Sequence, residues 1–128
     1  MKNYYELEGF EHVYLEDSFV LDIREAEGVF ELLIDAVLTE DHPDYHAPGP
    51  DSQYCYARAE IVFREVEKVR WLERNDHGFT DASGETDYGN IDFFMQTNRE
   101  FYLGGDWGEV RIRAGSVGLD LMKGAKNA

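Results

Sequence analysis

Hydrophobic and polar positions alternate along much of this chain, most clearly over residues 19–38. With a turn at Glu27-Gly28, this segment folds back as a β-hairpin. One apolar face then pairs Phe19 with Ala36, Leu21 with Ile34 and Ile23 with Leu32. The other face pairs Val20 with Asp35, Asp22 with Leu33 and Arg24 with Glu31, ending in opposite charges. A slip of one residue would scramble both faces, so the pattern favours this register. Val29, Leu32, Leu33, Ala36 and Val37 also fall at helical spacing, so a helix competes with the strand over Val29–Leu38. No Ser, Thr, Asp or Asn precedes that segment as an N-cap, and Gly28 would sit in its first turn. The strand is the preferred reading.

The rest of the chain predicts more strands. Residues 1–8 add an edge strand or fray. Residues 10–15 form a short strand with Val13 and Leu15 on one side and His12 and Tyr14 on the other, and Glu16-Asp17-Ser18 turns into the hairpin. Residues 40–53 hold Pro43, Pro48, Pro50 and Gly49 and read as a loop. Residues 54–72 are extended: Cys55, Ala57, Ala59, Ile61 and Phe63 face inward, and the phase breaks near Glu65 to Lys68, where a bulge or tight turn is expected. Residues 75–90 form a second polar loop. A strand at 91–96 has Ile91, Phe93 and Met95 on one face. A three-residue turn at Thr97-Asn98-Arg99 then sets Met95 against Phe101 and Phe93 against Leu103. A final hairpin about Ala114-Gly115 pairs Ile112 with Val117 and Val110 with Leu119, and residues 123–128 fray. Strands this short, with turn signals every ~8–12 residues, predict an all-β single domain over 1–128. It would be an antiparallel β-sandwich or barrel of about 8–10 strands.

Composition changes the functional picture more than the fold. The chain carries 27 Asp and Glu against 12 Lys and Arg, a formal charge of −15. That argues against nucleic acid and anionic membranes as partners, and for cationic partners. Cys55 is the sole cysteine, so no internal disulfide forms and a cytoplasmic location fits. No apolar run reaches the ~20 residues of a membrane span, and residues 1–8 do not read as a signal peptide.

The stretches YCYARAEIVFREVEKVRWLER, TDASGETDYGNIDFF and FYLGGDWGEVRI resemble small bacterial all-β proteins with a C-terminal GDWG-type strand close. Some of those look like immunity proteins of toxin systems. The resemblance covers residues 54–112. It implies a β fold and a protein-binding role, and it carries over no catalytic residue.

Four constellations are candidates for chemistry. His42, Asp44 and His46 offer imidazole and carboxylate ligands to a metal, although no helix aligns the four-residue spacing of the two histidines. Asp81, Ser83, Glu85, Asp87, Gly89 and Asp92 fall on calcium-loop positions, but Thr86 stands where the loop needs Gly and Asp92 where it needs Glu. Tyr54, Tyr56 and Arg58 share one strand face and are residue types enriched at binding hot spots. Gly104-Gly105-Asp106-Trp107-Gly108 reads as a structural corner with Trp107 as an anchor, and Trp107 joins the binding candidates. Cys55 sits in an inward register, and no serine lies in a nucleophile-elbow context. The leading expectation is a non-enzymatic acidic interaction protein that needs no cofactor and binds a cationic protein. The alternative is a metal or small-molecule site on the 42–51 loop.

Overall fold

The computed structural model describes residues 1–50, 52–75 and 77–122. The strands among them are β1 (Lys2–Asn3), β2 (Val13–Ala26), β3 (Val29–Leu38), β4 (Cys55–Arg74), β5 (Phe79–Thr80), β6 (Thr86–Asp87), β7 (Ile91–Thr97), β8 (Glu100–Gly105) and β9 (Gly108–Leu121). No α-helix occurs among the described residues, so Val29–Leu38 is a strand. A 3-10 turn at Tyr4–Glu6 follows β1 and is closed by a reciprocal Asn3/Glu6 cap. Seven strands form one antiparallel sheet in the order β1-β7-β8-β9-β4-β3-β2, and β5 and β6 form a separate two-stranded hairpin.

The apolar face of β2–β3 needs a covering layer, and the same sheet supplies it by coiling over itself. Phe63 on β4 lies 5.8 Å from Phe94 on β7, although β9 and β8 separate those strands in the sheet. Phe10, Phe30, Phe63, Phe94, Phe101 and Trp107 are fully buried in one contiguous core. Each large apolar side chain there contributes about 1.5–3 kcal/mol of transfer free energy. The free edge of β2 reaches the residues ahead of β7. The Val20 N–H donates to the Gly89 carbonyl at 2.9 Å, and the Tyr88 N–H donates to the Val20 carbonyl at 2.8 Å. This contact is local and the sheet is not closed into a barrel.

The all-β, antiparallel expectation holds, and several local expectations do not. The register of the first hairpin is as expected for Asp22:Leu33, Ile23:Leu32 and Arg24:Glu31 about the Glu27-Gly28 turn. Beyond Asp22 it slips, because Leu21 is an extra residue in β2. Phe19 therefore pairs with Asp35 and Val20 with Ile34, in place of Phe19:Ala36, Val20:Asp35 and Leu21:Ile34. Val20 turns into the core while Phe19 and Leu21 stay partly exposed. Glu16-Asp17-Ser18 is not a turn. It lies within β2, where three more extra residues between Tyr14 and Phe19 form a wide irregularity. The Ser18 hydroxyl stabilises this irregularity by donating to the Tyr14 carbonyl at 2.7 Å and accepting from the Val37 N–H at 2.9 Å.

The expected break in β4 is a bulge: Glu65 has φ 53° and the register against β9 shifts between Val66 and Lys68. The expected hairpin at Ala114-Gly115 does not form. β9 runs unbroken from Gly108 to Leu121 alongside β4, and Gly115 accommodates the bulge, since a Cβ there would lie 2.7 Å from the Glu65 carboxylate. In β7 an extra residue near Asp92 brings Phe94 rather than Phe93 inward. The pairs are Phe94:Leu103 and Gln96:Phe101, and the turn is two residues, Asn98-Arg99, with Asn98 at φ 55°. Residues 123–128, where fraying is expected, lie outside the described residues.

Candidate functional site: an aromatic groove with an acidic rim

The displaced residues of β2 make the floor of a groove. Phe19 and Leu21 point outward beside Tyr56 of β4, and the Phe19 and Tyr56 ring centroids are 6.0 Å apart. Tyr54 meets Tyr56 edge-on at 6.0 Å and donates its hydroxyl to Asp17 at 2.6 Å. Asp35, Asp81, Glu85 and Asp87 complete the lining with Thr86, around a volume of about 370 Å³. The last four residues belong to the β5–β6 hairpin and its loop, which forms one wall. Arg58 joins wall to floor: its Nε donates to Asp35 at 2.8 Å, and its guanidinium lies 3.9 Å from Glu85.

The chemistry of the groove follows from these contacts. The phenol of Tyr56 is pushed above its ordinary value by burial and then by the charges of Asp17 and Asp35. That of Tyr54 is raised first by its hydrogen bond to Asp17 and then by burial. Both rings stay neutral at physiological pH and offer π faces. Asp81 accepts from the Ser83 N–H and hydroxyl and from the Glu85 N–H, and these bonds hold its carboxyl below the usual range. Four carboxylates against one bridging guanidinium leave the groove negative. A neutral aromatic floor with an acidic rim suits a cation on an apolar stem, by π attraction and charge together.

Beyond the groove the same outer sheet surface remains acidic. The carboxyl of Glu60 is raised, first by a hydrogen bond shared with Glu31 and then by partial burial, while Arg24 acts in the opposite direction. Strand pairing sets this contact. Glu31 on β3 stands opposite Val62, one step along the outer face of β4 from Glu60.

The structure brings Tyr54, Tyr56 and Arg58 together as the sequence suggests, and adds Phe19, Leu21 and the hairpin acids. Trp107 is elsewhere. It is 0% exposed, packs edge-on against Trp71 at 6.0 Å and donates its Nε1–H to the Asn90 carbonyl at 3.1 Å. Trp107 is a core anchor, and Gly105 beside it leaves the room that Asn90 needs. His42, Asp44 and His46 lie on the loop after β3. His42 Nδ1 accepts from the Asp44 N–H at 3.0 Å, and the His46 ring lies 3.5 Å from the Cys55 sulfur. Among the described residues no three His, Cys, Asp or Glu side chains converge to hold a metal ion. Asp51 of the same loop lies outside those residues. The calcium-loop acids Asp81, Glu85 and Asp87 line the groove instead, with the Asp81 carboxylate turned onto its own loop. No described helix is long and apolar enough to cross a membrane. No family model, curated protein or solved structure matches this chain.

Sequence reasoning missed Phe19 and Leu21 because alternation assigned both to the core. The signal for the hairpin wall was present in the acids of residues 81–87, read there as a calcium motif.

Proposed function

We propose that this protein is a non-enzymatic binding protein that takes a lysine- or arginine-bearing segment of a cationic protein partner into the Phe19/Leu21/Tyr56 groove, in the manner of an immunity protein covering its toxin. The observation that carries this reading is the pairing of an exposed aromatic floor with the Asp35, Asp81, Glu85 and Asp87 rim. The charge of −15 adds long-range attraction, which speeds encounter with a cationic partner and weakens as salt rises. The buried aromatic contact sets the lifetime of the complex.

The test is an amide NMR titration with a short arginine-rich peptide and with its citrulline counterpart, which keeps the shape and lacks the charge. Arginine-dependent shifts should centre on Phe19, Leu21, Tyr56 and residues 81–87. Tyr56→Ala should weaken binding by roughly 2 kcal/mol if the ring is a hot spot. Equal response to both peptides, or shifts spread evenly over the acidic surface with Tyr56→Ala inert, would remove the groove from the account.

A further inference from the structure

A second feature lies twelve residues farther along β4, at the end of the sheet away from Tyr56. Lys68 pairs directly with Arg113 of β9, and Arg70 directly with Arg111. Four of the chain's 12 Lys and Arg thus stand as two facing like-charge pairs on one sheet surface. Directly opposed like charges destabilise a sheet, and this chain has 27 acids with which to avoid them. Only part of the cluster is neutralised. Arg113 is 3.1 Å from Glu100 and 3.9 Å from Glu67, and Glu67 also pairs with Arg99. Lys68, Arg70 and Arg111 make no ion pair among the described residues. The Arg111 guanidinium lies over the Tyr102 ring, 5.3 Å from its centroid, a contact that engages the ring face rather than a carboxylate. Lys68, Arg70, Glu100, Tyr102, Arg111 and Arg113 surround a shallow dent of about 210 Å³.

We propose that this patch is an anion-binding site for a small, phosphate-rich ligand. The size and the field of the protein both select for compactness. Facing residues on adjacent strands are ~5 Å apart and alternate residues along a strand ~7 Å apart, so the four cations bracket a group the size of a di- or triphosphate. A long polyanion would extend beyond the patch over a surface that is net acidic, whereas charges beyond ~8 Å are largely screened from an anion seated within it. The site is independent of the cation groove and stands or falls without it.

Tripolyphosphate is the probe, titrated against the intact protein at low and physiological salt and followed by amide NMR and by melting temperature. Shifts should cluster at Lys68, Arg70, Tyr102, Arg111 and Arg113, and the melting temperature should rise with ligand concentration. Arg70→Gln should weaken binding by about tenfold or more, since a charge-assisted contact is lost. The same variant, freed of the Arg70–Arg111 repulsion, should melt at or above the wild-type temperature without ligand, which separates lost binding from lost folding. Arg24→Gln, on the acidic surface, should bind as the wild type does. Absence of shifts at millimolar tripolyphosphate, undiminished binding in Arg70→Gln, or tighter binding of a single-stranded oligonucleotide than of tripolyphosphate would each overturn the proposal.

Discussion

Ser18→Ala tests whether one buried hydroxyl shapes the candidate site. Ser18 is 0% exposed, and its hydroxyl both donates to the Tyr14 carbonyl and accepts from the Val37 N–H. The alanine fits the same space and leaves the Val37 N–H buried, and the Tyr14 carbonyl part-buried, without that partner. An orphaned buried group costs about 1–3 kcal/mol, with the N–H at the upper end and the carbonyl lower because it has a second lone pair. The expected loss is therefore about 2–4 kcal/mol. With an unfolding entropy near 2.1 cal/mol/K per residue over 128 residues, each kcal/mol corresponds to about 4 °C, so the melting temperature should fall by roughly 7–15 °C. Denaturant unfolding gives the free energy directly, and hydrogen exchange should show faster exchange at the Val37 amide. Ser116→Ala, on an exposed stretch of β9, is the control and should change stability by less than about 0.5 kcal/mol. The same hydroxyl stabilises the irregularity that precedes Phe19, so the folded fraction of Ser18→Ala should also bind the arginine peptide less tightly. A Ser18→Ala protein as stable as the Ser116→Ala control would show that the wide irregularity in β2 does not depend on this hydroxyl.

Two further outcomes follow. Glu60→Gln should raise the melting temperature at pH 7 and have no effect near pH 4. The fold raises the Glu60 carboxyl, so the stability contributed by its shared proton is complete below the unfolded-state value and is lost as pH climbs through the folded one; a melting series across that range checks it. Trp107→Ala should cost about 3–5 kcal/mol in denaturant unfolding, while Trp107→Phe should leave arginine-peptide binding unchanged, because the indole is buried away from the groove.

The sequence by itself determined that the chain is built from antiparallel strands. It also located the Glu27-Gly28 turn, the bulge near Glu65 and the outward Tyr54, Tyr56 and Arg58 face. These depend on properties of neighbouring residues: period-two alternation, a glycine at positive φ, and a phase break within one strand. Tertiary structure decided which residues face inward beyond each bulge. Val20 is buried and Phe19 partly exposed because both main-chain groups of Val20 bond to the Tyr88–Gly89 backbone, almost seventy residues away. A single inserted residue inverts the faces of everything after it, and only the strand's partners determine where that residue goes. The final strand shows the same limit: Ala114-Gly115 has turn composition, yet the pairing of β9 with twenty-residue β4 keeps it extended and uses the glycine as clearance for Glu65. The two candidate sites are likewise products of pairing. The acids of 81–87 meet Phe19 and Tyr56, and Arg70 meets Arg111, only because separate strands are set side by side.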